Sequence, residues 1–173
     1  MADDECLAID IVGQTGEWSK TKYEHVIQCT LADKKKPCAT TGEECILKLT
    51  LWNGSRWTAK CECASATAPK PTKKLPVVLK GDKQINDEIK KRWKDSKANV
   101  QVDNSTGPCQ VDLYSVPDPN QPTALPVYVV CTLKKSDEPC DGGKVCLPGY
   151  YLESDQVTLH LRCFCGPKPP PPK

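Results

Sequence analysis

The chain has 173 residues, 38% of them hydrophobic, with one Phe, one Met, twelve Cys and a formal net charge of +2. So balanced a charge excludes a nucleic-acid binder held by bulk electrostatics. No run approaches the roughly twenty apolar residues that a membrane-spanning helix needs, so no membrane association is expected.

In chain order, Cys6 to Val12 reads as a short strand followed by a Gly-containing loop. Tyr23 to Leu31 alternates moderately and predicts a second strand, and Ala32 to Glu44 is a polar loop holding Lys34-Lys35-Lys36-Pro37. Ile46 to Trp52 and Arg56 to Cys63 form a predicted hairpin around Asn53-Gly54, whose two residues tolerate the positive φ of a type I′ turn. Cys61 and Cys63 lie two apart on one strand face and are expected to bond different partners. Ala64 to Lys74 is an Ala/Pro/Lys-rich extended linker. About 82–98 then predicts a helix, with Asp82 as N-cap and Ile85, Ile89 and Trp93 on one narrow apolar face that docks lightly on a domain or a partner. Asp87 with Lys91 and Glu88 with Arg92 support it at four-residue spacing. The later segment repeats the first: Tyr128 to Leu133 as a strand, then Pro148 to Leu152 and Val157 to Cys165 as a hairpin turning at Glu153-Ser154-Asp155-Gln156. Pro117, Pro119, Pro122 and Pro126 argue against a continuous strand from Ser115 to Pro126.

The cysteines write the duplication out. Cys6, Cys29, Cys38, Cys45, Cys61 and Cys63 are separated by 22, 8, 6, 15 and 1 residues, and Cys109, Cys131, Cys140, Cys146, Cys163 and Cys165 by 21, 8, 5, 16 and 1. Cys29-Thr30-Leu31 returns as Cys131-Thr132-Leu133, and Pro37-Cys38 as Pro139-Cys140. The reading is an all-β, small disulfide-rich chain of two tandem six-cysteine modules joined by a linker with one helix. Residues 1–64 are module one, 65–107 the Pro/Lys-rich linker and helix, 108–166 module two and 167–173 a Pro-rich tail. Charge is unequal along the chain: −2 over residues 1–64, +5 over 65–107, and −1 over 108–173. Copies so short bury too little surface to be stable on hydrophobicity alone. Disulfides worth roughly 2–4 kcal/mol each would supply most of the deficit. Metal is not expected, because the close cysteine pairs have a one-residue gap and His25 and His160 fall at unrelated places in the repeat. Six cysteines per copy leave fifteen possible pairings open.

An oxidising, extracellular compartment follows, supported by sequons at Asn53 and Asn104. Met1 directly before an acidic, mature-looking start suggests that a secretion leader was removed. No enzyme and no cofactor are expected: the two histidines are not equivalent in the repeat, and no nucleophile motif accompanies them. Lys36 beside Pro37 is the candidate reactive bond of a serine protease inhibitor, although proline after the lysine obstructs cleavage. Lys90-Lys91-Arg92-Trp93-Lys94 could meet a polyanion, but Asp87, Glu88 and Asp95 share the segment. The candidate partner-binding residues are aromatic and basic: Trp52, Arg56 and Trp57 around the first hairpin turn, Ile85, Ile89 and Trp93 on the helix, and Tyr150 and Tyr151 in the second hairpin. The alternative for the hairpin aromatics is cross-strand packing on a thin core.

The six-cysteine frame, with Pro-Cys after a strand and a closing Cys-x-Cys, resembles the small cysteine-rich secreted proteins of tick saliva, whose domain is similar to a von Willebrand type C module. The likeness covers Cys6–Cys63 and Cys109–Cys165, and doubles what is usually a single domain. It implies a monomeric inhibitor that occupies a host plasma protein. A complement component is expected, properdin first and component five second. A chemokine or cytokine scavenger is the alternative.

Overall fold

A computed structural model describes residues 6–10, 25–33, 36–103 and 107–166. Lys34, Lys35, the Asn104 sequon and the Pro-rich tail lie outside the described residues. Strands β1 (Cys6–Asp10), β2 (His25–Leu31), β3 (Glu43–Trp52) and β4 (Arg56–Ser65) come from the first copy. The linker supplies β5 (Leu79–Lys80), α1 (Gly81–Arg92) and β6 (Asn99–Val102). The second copy supplies β7 (Cys109–Ser115), β8 (Ala124–Leu133), β9 (Val145–Leu152) and β10 (Thr158–Gly166). The fold is all-β and disulfide-rich, with one helix.

The strands form two five-stranded sheets, ordered β1-β2-β9-β10-β6 and β4-β3-β8-β7-β5. Each copy places one hairpin in each sheet, so both sheets are joined across the repeat. In the first, His25 and Val26 pair with Tyr150 and Gly149; in the second, β3 pairs with β8 from Leu47↔Val129 to Trp52↔Ala124. Alternation explains the core. Leu47, Leu49 and Leu51 of β3 point between the sheets and meet Leu125, Val127 and Val129 of β8 and Leu159 and Leu161 of β10. The opposite face of β3 is buried at Ile46, where the linker crosses it: Ala66 and Ala68 pack on Ile46, Tyr114 and Val130, and the Tyr114 hydroxyl donates to Ser65 O.

Disulfides, by contrast, stay within each copy and repeat one pattern. Cys6–Cys45, Cys29–Cys61 and Cys38–Cys63 return as Cys109–Cys146, Cys131–Cys163 and Cys140–Cys165. Cys61 and Cys63 do bond different partners. The first two of each set join one sheet to the other, because each copy is split between them. The covalent unit is the copy, whereas the sheet unit is the pair.

The linker departs most from the sequence-based expectation. The helix ends at Arg92, not at residue 98, because Trp93 leaves helical geometry and the chain turns to lay β6 parallel to β10. Asp82 is not its N-cap; Lys80 holds that place, and Gln84 Oε1 accepts its backbone N–H at 2.8 Å. Nor does the helix dock lightly. Ile85 and Ile89 are 0% exposed and belong to the main core, so α1 plugs the gap between the sheets along the edge formed by β6 and β7.

Candidate functional site

One end of the sandwich gathers the β3–β4 turn, the β7–β8 connection, the β9–β10 turn and the segment after α1. Asn53 and Gly54 take φ of 54° and 71°, the two positive values that a type I′ turn demands. Asn53 N–H donates to Thr123 O at 2.8 Å, fixing the turn to the β7–β8 connection. Gly54 is needed twice over, because a Cβ there would lie 2.8–2.9 Å from the side chain of Trp93. The Ser96 hydroxyl donates to Gly54 O from the same side. Hairpin tip and helix end are therefore one packed unit.

Arg92 spans it. Its Nε donates to Glu88 at 2.7 Å, one Nη to Ala124 O at 3.3 Å, and its guanidinium carbon lies 5.9 Å from the Trp93 ring centroid. Trp52 donates from Nε1 to Thr58 Oγ1 at 2.8 Å, and Trp57 from Nε1 to Val157 O at 3.0 Å, so the two hairpins also touch. Trp52 and Trp93 are half-buried and Arg56 is exposed. The same end of the molecule therefore carries two aromatic and basic pairs, Trp52 with Arg56 on the hairpin and Arg92 with Trp93 at the helix end.

Four of the eight nominated partner-binding residues are core instead. Trp57 is 9% exposed, Tyr151 3%, and Ile85 and Ile89 0%. The apolar face of the helix and the inward-facing Trp57 are used up in packing the sheets together, whereas Tyr151 lies on the opposite face of β9 from Tyr150, beside His160. Tyr150 is half-buried and stacks on His25 at 4.9 Å. Tyr151 stacks on His160 at 4.4 Å, whose Nδ1 and Nε2 lie 3.2 Å from Asp103 and 2.7 Å from Glu153. With a carboxylate on each nitrogen, this imidazole is a structural cross-link at the β9-β10-β6 edge of the first sheet. Gly54 and Ser96 hold hairpin and helix end together and were not nominated from sequence, and Arg92 entered only within the basic run 90–94. The Asn-Gly turn was a signal for Gly54, but nothing local pairs position 54 with 93.

The two close groups of sulfur atoms, Cys6/Cys38/Cys45/Cys63 and Cys109/Cys140/Cys165, are already joined in disulfides. Metal ligation needs thiolates, which these atoms cannot provide. Lys36 is exposed and its N–H closes a turn on Asp33 O at 3.0 Å. Comparison with family models, curated proteins and solved structures returns no match.

Proposed function

We propose that the protein is a secreted, non-enzymatic antagonist that binds a host complement component, properdin or else component five, through the end bearing Trp52, Arg56, Arg92 and Trp93. Six disulfides fit an oxidising compartment, and no described helix is long and apolar enough to cross a membrane. The choice of complement rests on the resemblance of the six-cysteine frame. The choice of surface rests on one observation: the close approach of Gly54 to Trp93, which presents Trp and Arg side chains from two separate elements on a rigid base. Trp and Arg are the residue types that carry most interface energy, and a pre-ordered surface loses little entropy on binding.

Haemolysis assays that isolate each activation route test the reading. Inhibition confined to the alternative route points to properdin, and inhibition of every route to component five. Arg56→Ala removes an exposed guanidinium at no cost to the core and should weaken inhibition about tenfold, the effect of losing roughly 1.4 kcal/mol. Full lysis in every route at saturating protein would sink the proposal.

A further inference from the structure

Of the two strands flanking α1, only one has its outer edge closed. Val100 of β6 turns its backbone away from β10, and the Asn86 side chain meets it there: the amide donates to Val100 O at 2.9 Å and accepts from Val100 N–H at 2.7 Å. A side-chain amide thus substitutes for a neighbouring strand.

β7 is different. Lys134 N–H donates to Pro108 O at 2.7 Å, and the register sets Cys109 opposite Leu133, so Pro108 faces β8. Because antiparallel residues alternate, Gln110, Asp112 and Tyr114 also address β8, while Cys109, Val111 and Leu113 turn their N–H and C=O outward. On that outer side β5 pairs only with Tyr114 and Ser115 before Gly81, at φ 82°, swings the chain into α1. No described strand continues along Cys109–Leu113. A groove of about 650 Å³ lies there instead, between β7, Ala66–Ala68 and the start of α1. Its apolar lining includes Val111 and Val102, the latter 37% exposed. Its charged lining is Asp82 and Asp112 against Lys80.

We infer that this edge is a strand-addition site for an extended, basic segment of a partner protein. The occupant continues the line that β5 begins. Its backbone pairs with Val111, beyond Gly81, which the register of β5 sets opposite Leu113; alternate apolar side chains face Val102 and Val111, and Lys or Arg at an intervening position meets Asp112 or Asp82. Main-chain hydrogen bonds supply affinity in this mode, and the alternate side chains supply selectivity. The surface is distinct from the Trp/Arg end and stands or falls without it.

The probe is a short peptide, blocked at both ends, alternating Val with Lys and Thr; its acidic counterpart carries Glu for Lys. Amide NMR of the intact protein should show a shift and slowed hydrogen exchange at Val111, with the basic peptide binding about tenfold tighter than the acidic one. Val111→Pro deletes an outward donor without touching the β8 ladder, and Val102→Lys places a charge on the groove wall. Each should weaken binding about tenfold, with the near-UV circular dichroism unchanged. Should the proline variant misfold, the Val102 variant alone carries the test. An unshifted Val111 amide, or equal binding by Val102→Lys, overturns the inference. So does a dimer in light scattering with this amide already protected, which would make a second copy of the chain the occupant.

Discussion

Gly54 and Gly42 both hold positive φ, 71° and 90°, yet only Gly54 has a neighbour where a Cβ would go. Gly42→Ala should therefore cost only the left-handed backbone penalty, about 1 kcal/mol. Gly54→Ala should cost about 2–3 kcal/mol, because Trp93 must also move and the tip loosens. Urea unfolding of the two variants measures the difference, and equal losses would show that the Trp93 contact contributes nothing. Tyrosine ionisation offers a second handle at this scale. Tyr114 and Tyr128 stack at 4.9 Å under the linker, and the Tyr128 hydroxyl donates to Glu62 at 3.0 Å. Burial, then the Glu43 and Glu62 carboxylates, push the Tyr114 hydroxyl up to about 12. Burial and Glu62 push Tyr128 up as well. A folded value above the unfolded value of 10.0 means stability fully present below that pH and lost as pH rises through the folded value. Two of the chain's five tyrosines should thus be missing from the phenolate absorbance step near the ordinary value, appearing only as the protein unfolds at higher pH. Tyr114→Phe should flatten the fall in stability above pH 10, and an unchanged slope would count against this burial.

Among the elements, α1 and β6 depend on each other through Asn86. The Asn86→Ala variant leaves the N–H and C=O of Val100, itself 1% exposed, without partners. Unpaired buried groups cost about 1–3 kcal/mol each, so a loss of about 2–4 kcal/mol is expected by chemical denaturation. Amide exchange at Val100 should accelerate more than that at Leu159 in the neighbouring β10. Asn86→Asp keeps the acceptor and loses the donor, and should fall between wild type and alanine. Equal exchange at both positions in Asn86→Ala would separate the helix from the strand. Most strands were legible because their apolar residues alternate and Asn-Gly marks the first turn, but β7 was not read and β8 begins at Ala124 rather than Tyr128, with Pro126 opposite Thr50. The end of α1 was not. Trp93 continues the four-residue spacing of Ile85 and Ile89, and only its contact with Gly54, thirty-nine positions earlier, makes it a terminator. β5 and β6, two and four residues long, carry too little pattern to be read without the strands they join.

At the scale of the whole molecule, the cysteine frame announced two equivalent units, and the disulfides follow it. Pairing between copies was not legible, because Leu47, Leu49 and Leu51 alternate identically whether the neighbour is β2 of their own copy or β8 of the other. The aromatic residues suffered the same limit, since burial of Trp57 depends on which sheet closes over it. The tandem chain has the form of a fused pair. β3 with β8 and β9 with β2 are the same contact made twice, each joining the third strand of one copy to the second of the other. This predicts the behaviour of residues 1–66 produced alone and oxidised. A monomer would retain Cys6–Cys45, Cys29–Cys61 and Cys38–Cys63, but would expose the edge of β3 and lose the apolar cover that β8 and β10 give its leucines. An edge so apolar seeks a partner. A second identical fragment supplies one, with β3 of each pairing to β2 of the other about a twofold axis, a closed and self-complementary arrangement. Light scattering should therefore report a dimer, and amides of Leu49 and Leu51 should be protected only at concentrations where the dimer persists. A compact monomer with those amides protected would instead make each six-cysteine copy self-sufficient, and the shared sheets a consequence of tethering alone.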